Sequence, residues 1–198
     1  MKKTLALSGI LALAMLAGCS ADQATSPAPT GSTEALKAAV VPLDPTATAI
    51  VLAPEVAEGL AFMREEEKLA RDVYQVLGRK WNVRTFSSIM ESEQRHTDAI
   101  KVLLDRYGLP DPSSGLGAGQ FANTELQALY DALVADGLVS LRAAAQVGKL
   151  IEVTDIADID TRLAQVPAGS DIAVVYGNLR LGSESHLAAF TTLLQRVR

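Results

Sequence analysis

Apolar residues recur at spacings of three and four through four long stretches of the chain, the repeat of a helix that buries one face. The first seam reads Leu60, Met63, Glu67, Ala70, Tyr74, Leu77, and the second Ile89, Glu93, His96, Ile100, Leu103, Tyr107. A third reads Leu141, Ala145, Gly148, Glu152, Asp155, Ile159, and a fourth Val175, Leu179, Gly182, His186, Ala189, Leu193. Seams that face a core normally carry Leu, Ile, Val and Ala, so acids and imidazoles within all four require a reason. Packing the four helices together brings four carboxylates and both histidines of the chain into one interior.

Local signals set the expected boundaries. Pro54 suits a first helical turn, and the apolar period continues to about Trp81. Ser87 is the expected cap of a second helix running to Tyr107, stopped by Gly108 and Pro110. Residues 108–123 read as a flexible Gly/Pro/Ser connection, followed by a short helix over about Glu125 to Ala135 that ends at Gly137. Ser140 opens a third long helix, Pro167 closes that segment, and Ser170 caps a fourth running nearly to Arg198. No stretch alternates with period two between turn signals, so no sheet is expected. Long helices of this kind, each ~30–40 Å at 1.5 Å per residue, predict an all-α antiparallel four-helix bundle with a short extra helix in its central crossover. The Gly115–Gly119 stretch has the composition of a phosphate cradle. It lacks both a preceding strand and a following Lys-Ser/Thr, so it reads as a connection.

The N-terminus has a different character. Met1-Lys2-Lys3, an apolar run from Leu5 to Leu16 and Leu16-Ala17-Gly18-Cys19 have the order of an export signal ending in a lipobox. Residues 1–18 are therefore expected to be a lipoprotein signal peptide and Cys19 the lipidated first residue. Lipidation also accounts for an exported chain with a single cysteine, which can form no internal disulfide. Acyl chains on that residue, each CH₂ adding ~0.8 kcal/mol of membrane affinity, would anchor the protein without a spanning helix. Residues 19–53, rich in Ala, Thr, Ser and Pro, read as a tether, and 54–198 as the bundle. Ser20 after the cysteine favours the outer membrane in a cell that has two.

Removing residues 1–18 leaves 16 basic against 23 acidic residues, a net charge of −7. That acidity, without a basic block, argues against nucleic acid as a partner and against electrostatic binding to anionic lipid.

Glu93-Gln94-Arg95-His96 is a Glu-x-x-His step whose side chains share one helix face, with Ile89 and Ile100 directing that face inward. The third helix adds Glu152-x-x-Asp155, and the fourth offers Ser183-Glu184-Ser185-His186, with serine where a second Glu-x-x-His would have glutamate. Glu184 lies two residues from His186 and so faces elsewhere. Among the three consecutive glutamates Glu65–Glu67, the apolar pattern alone puts Glu66 nearer the buried arc than Glu67. The Arg64-Glu65-Glu66 run otherwise reads as mostly solvated surface.

The string Met63-Arg-Glu-Glu-Glu-Lys-Leu-Ala-Arg-Asp-Val-Tyr74, with Ser92-Glu-Gln-Arg-His96 and Tyr107-Gly-Leu-Pro-Asp-Pro112, resembles a bacterial ferritin-like family known as domain of unknown function 2202. The resemblance covers about residues 56–196 and implies a ferritin-like bundle. Glu67, followed seven residues on by Tyr74, resembles the metal-bridging glutamate of ferritin-like first helices, and this selects Glu67 over Glu66. The implied ligands are Glu67, Glu93 and His96 for one metal and Glu152, Asp155 and His186 for the other, with Tyr74 and Ser183 as outer partners. Four acids and two histidines match the ligand set of dinuclear carboxylate bundles, with one acid moved to another helix.

Crowded carboxylates in a low-dielectric interior repel one another and lose hydration worth several kcal/mol each, whereas two divalent cations neutralise four of them. Oxygen donors with imidazole suit a di-iron centre, and manganese or zinc also fits. The expected function is metal binding with ferroxidase or peroxidase-like chemistry at the cell envelope. The alternatives are a non-catalytic envelope metal binder and an interaction scaffold. The tether argues against a closed storage shell, while a homodimer is compatible with the chain.

Overall fold

A computed structural model describes residues 52–197. The expected signal peptide, Cys19 and nearly all of the tether lie outside the described residues. Five helices, and no strand among the described residues, make up the fold: α1 Pro54–Trp81, α2 Arg84–Arg106, α3 Thr124–Gly137, α4 Leu141–Leu163 and α5 Asp171–Arg196.

The start and end signals explain most of these boundaries. Pro54 opens α1, where its missing N–H costs nothing, and Arg79 and Lys80 occupy the last turn, at the negative end of the helix dipole. Asn82 then takes a left-handed conformation (φ 51°), and its N–H bonds the Gly78 carbonyl at 2.9 Å. One further residue, Val83, suffices to start α2. That helix therefore begins three residues before Ser87, which lies inside its first turn with its hydroxyl bonded to the Arg84 carbonyl. The expected Ser87 cap is corrected accordingly: the tight αL turn, and not a side-chain cap, sets the start. Asn123, Ser140 and Ser170 do cap α3, α4 and α5, each side-chain oxygen accepting from backbone N–H groups of the first turn.

Cross-helix pairs give the direction of each helix. Gly78 lies against Phe86, and Glu67 against His96, so α1 and α2 are antiparallel. The pairs Gly148–Phe190, Asp155–Ser183 and Asp160–Arg180 make α4 and α5 antiparallel. Gly59–Arg162 with Tyr74–Gly148 does the same for α1 and α4, and Glu93–His186 with Arg106–Asp171 for α2 and α5. The four long helices form a bundle in which every neighbour is antiparallel, while α2 and α4 run in the same direction. The segment joining those two must therefore travel the length of the bundle.

That segment follows α1. Arg64 grips Asp111 with two nitrogens at 3.0 Å, and Lys68 donates to the Gly117 and Gln120 carbonyls. Asp72 accepts from the Gly119 N–H, and Glu65 accepts from the N–H groups of Ala122 and Asn123. Farther along, Trp81 donates to the Gly137 carbonyl, whose Cα packs on Leu77 with no room for a β-carbon. Arg64, Glu65 and Glu66 are all buried, so the expectation of a solvated surface there is overturned. Arg64 and Glu65 supply the bonds that fasten the crossover, and a connection read as flexible is pinned to α1.

The interior is divided into three along the bundle axis. One apolar cluster contains Leu69, Tyr74, Leu77, Phe86, Ile89, Ile151 and Phe190, and the other Leu60, Met63, Ile100, Leu104, Ile159, Tyr176 and Leu179. Between them lies a buried polar layer holding Glu67, Glu93, His96, Glu152, Asp155, Ser183 and His186.

Candidate metal centre

Each seam contributes to this layer because one helical turn of every long helix carries a polar residue in place of an aliphatic one. Glu67 comes from α1, Glu93 and His96 from α2, Glu152 from α4 and His186 from α5. The Glu-x-x-His step places Glu93 Oε2 at 2.8 Å from His96 Nδ1, which also lies 3.2 Å from Glu67 Oε2. The other oxygen of Glu93 stands 2.7 Å from His186 Nδ1, and Glu152 Oε2 stands 3.4 Å from that same nitrogen. Two triads result, Glu67–Glu93–His96 and Glu93–Glu152–His186, each offering ligand atoms within 4.8 Å of one another. Glu93 belongs to both, one carboxylate oxygen turned to each side.

The imidazoles stack, with centroids 5.5 Å apart and planes inclined by 26°. Gly182 makes room for this: a β-carbon there would lie 2.5 Å from His96 Nε2. Glycine in the fourth seam thus has a reason that spacing alone did not reveal. On the far side Tyr74 donates to Glu152 Oε1 at 2.6 Å, and its ring packs on Phe190 and Phe86. Ser183 donates to Asp155 Oδ2 at 2.5 Å.

Charge is strongly coupled here. Burial would lower the pKa of His96, but its contacts with Glu67 and Glu93 push it up to about 11; the same opposition leaves His186, beside Glu152 and Glu93, at about 9. Burial would raise Glu93, but the imidazoles of His186 and His96 hold it at about 2. Burial raises Glu67 well above the ordinary range, with Asp155 adding to the effect. Glu152 and Asp155 both reach about 7, chiefly through burial. Glu66 is raised by burial first and then by Asp155 and Asp158.

Several polar atoms in this layer are buried without a hydrogen-bond partner: Glu66 Oε2, Glu67 Oε1, Glu93 Oε1, Asp155 Oδ1 and His186 Nδ1. Glu93 Oε1 and His186 Nδ1 approach closely (2.7 Å), yet the ring N–H is not directed along the contact. Unsatisfied buried lone pairs cost on the order of 1–3 kcal/mol each and more when charged, so such a set in one place needs compensation. The donors fit divalent cations: oxygen and imidazole donors, convergent, with no lysine or arginine ion-paired to them among the described residues.

Of the six residues expected as ligands, the structure brings five into the triads. Asp155 is buried in the same layer but joins neither, being held by Ser183. Glu66, set aside in favour of Glu67, is also buried, as the apolar pattern indicated, and the charges that act on it are those of Asp155, Asp158 and Arg162 on α4. Tyr74 meets its ligand directly, and Ser183 meets Asp155.

Comparison with known proteins gives a family and a relative, neither with an assigned activity. Residues 56–197 match the family described as an uncharacterized protein domain (DUF2202). The chain is 46% identical over 143 residues to the uncharacterized protein MJ0754 of Methanocaldococcus jannaschii, covering 72% of this chain and 77% of the relative. A crystal structure of the hypothetical protein MJ0754 from Methanococcus jannaschii superposes with a TM-score of 0.72 at 43% identity. That match covers 76% of this chain and 86% of the other.

Proposed function

The chain belongs to the uncharacterised DUF2202 family, and for this member we propose a dinuclear metal centre, iron in the first place, built on the two triads that share Glu93. The sharing is the observation that carries the reading. A carboxylate with one oxygen in each of two adjacent donor sets is the arrangement of a bridging ligand, and single-ion sites would have no use for it. The one long crossover, which leaves α2 and α4 parallel, supports a ferritin-like assignment. Manganese or zinc would satisfy the same donors.

When bound, a di-iron centre supplies Lewis acidity and a change of valence toward oxygen or peroxide, which is ferroxidase or peroxidase-like chemistry. The side chains provide its setting. Glu67 and Glu152 would hold the ions on the two sides, and Tyr74 holds its phenolic proton on Glu152 Oε1. The apolar clusters above and below exclude bulk water. The N-terminal reading puts the bundle at the cell envelope, lipid-anchored through Cys19 on the outer membrane where the cell has two. The test uses the full chain loaded with Fe(II), in an oxygen electrode and with added peroxide. Consumption of either oxidant, or oxidation of excess iron, supports the reading. Two ions bound with neither activity would instead select a non-catalytic envelope metal binder, a reading favoured by the near-complete burial of all five ligands.

A further inference from the structure

The three consecutive glutamates of α1 have three separate fates. Glu65 is consumed by the backbone N–H groups of Ala122 and Asn123, and Glu67 enters a triad. Glu66 does neither. It is 6% exposed, and its Oε2 has no hydrogen-bond partner. Asp155, on α4, is 5% exposed, and its Oδ1 likewise has none. The antiparallel register that sets Gly59 beside Arg162 and Tyr74 beside Gly148 sets Glu66 opposite Asp155.

Glu66 lies one helical turn beyond the cavity-lining residue Phe62 on α1, and Asp155 two turns before the cavity-lining residue Arg162 on α4. Between α1 and the end of α4 a cavity of about 490 Å³ is lined by Glu55, Glu58, Gly59, Phe62 and Arg162, among others, and its rim glutamates Glu55 and Glu58 are exposed. Along α1 the residues Glu55, Gly59, Phe62 and Glu66 follow at spacings of four, three and four, one stripe leading inward. Along α4 the facing stripe is Arg162, Asp158, Asp155. The two stripes run from the cavity toward the polar layer, where Asp155 lies and where Glu67 follows Glu66 along α1. Arg162, the sole cation among the lining residues, stacks on the Phe62 ring at 4.4 Å. Acids outnumber it throughout, so the cavity concentrates cations and repels anions.

We propose that Glu66 and Asp155 form a carboxylate relay that takes hydrated divalent cations from the α1–α4 cavity and delivers them to Glu67. The relay rests on the dinuclear reading, because it needs a destination. It gives a role to two buried acids that neither triad uses, and it explains why Asp155 is held by Ser183 in the polar layer yet outside coordination reach. Ligands that pass a cation on should be incompletely satisfied, as these are. Their loss slows filling and emptying alike and leaves the final occupancy alone.

The test is stopped-flow binding of Co(II) to the metal-free full chain, followed by its visible absorption, with stoichiometry and dissociation rate measured on the same samples. Glu66→Gln and Asp155→Asn keep side-chain volume; Ala61→Trp obstructs the cavity without removing a carboxylate; Glu91→Gln, on the exposed face of α2, controls for net charge. Circular dichroism verifies folding of each. The relay predicts association slowed roughly tenfold or more in Glu66→Gln, Asp155→Asn and Ala61→Trp. Dissociation slows in proportion, two Co(II) per chain are retained, and Glu91→Gln matches the parent. Unchanged rates with two Co(II) bound overturn the relay alone. Stoichiometry reduced by Asp155→Asn or Glu66→Gln makes that residue a resident ligand and also overturns it. A parent chain that binds no Co(II) overturns both the relay and the dinuclear reading.

Discussion

His96 and His186 stack 5.5 Å apart, each with its Nδ1 against an oxygen of the same carboxylate, that of Glu93. Both imidazoles have pKa values raised above 6.5, so without metal the layer holds two cationic rings side by side among acids. The protons on those rings occupy the place, and supply two of the four positive charges, that two divalent ions would bring. Metal binding is then an exchange of protons for cations.

That exchange fixes a pH dependence. With His186 at about 9 and Glu152 and Asp155 at about 7, metal uptake at neutral pH must release protons. Calorimetry of Co(II) or Mn(II) binding in buffers of different ionisation enthalpy should report net proton release, and affinity should rise from pH 5.5 to 8. Affinity that stays flat over this window contradicts the exchange.

Stability of the metal-free protein should move in the opposite direction. Between their unfolded values and about 7, Glu152 and Asp155 bind more protons folded than unfolded, and His186 does so between about 6.5 and 9. Stability therefore falls as pH rises through this range. Glu93, held at about 2, acts with the opposite sign, but its contribution is lost only below about pH 4.5. Thermal melts should show Tm declining from pH 5.5 to 8.5. Saturating metal should raise Tm by roughly 5–10 °C at pH 8, given about 2.7 kcal/mol at 100 Kd of free ion. A melt unaffected by metal and chelator would leave the polar layer as structure only.

Membership of both triads separates Glu93 from the other four residues, and the proposed bridging role makes that difference measurable. Glu93→Gln removes one charge from both triads, whereas His186→Ala touches one. Elemental analysis should give less than one ion per chain for the first and about one for the second. Equal losses in the two variants would mean that Glu93 is an ordinary terminal ligand.

Gly182→Ala tests the packing that positions the site. Its β-carbon would meet His96 Nε2 at 2.5 Å, so the ring must leave the Glu67–Glu93 side. Ions per chain should fall toward one although no ligand is altered. Full occupancy in this variant would show that the stacked arrangement is dispensable.

Tyr74→Phe leaves a buried oxygen of Glu152 without its donor at a cost of about 1–3 kcal/mol, most of which metal should offset. The metal-free variant should melt lower by roughly 3–9 °C and the loaded one by much less.

Most of the bundle could be read from its apolar repeat. The first seam, from Leu60 to Leu77, is buried at every position named, and Pro54, Ser140 and Ser170 mark helix starts as expected. The start of α2 was misplaced because the αL conformation of Asn82, and not a capping side chain, turns the chain. The crossover was the larger surprise. Arg64 and Glu65 look like a solvated face, and only the loop that returns along α1 buries them. In the site, spacing pointed to four of the five residues that converge in the triads, and the family resemblance selected the fifth, Glu67. Spacing could not separate Asp155 from Glu152, which share a face of α4 and differ in what α5 presents to each: Ser183 to one and His186 to the other.

The dinuclear claim is tested most directly by anomalous diffraction at the iron edge from crystals of the Fe(II)-loaded full chain. The account predicts two peaks about 3.5–4 Å apart, one on each side of the Glu93 carboxylate. No peak in the polar layer, or iron bound only at the surface, would contradict it.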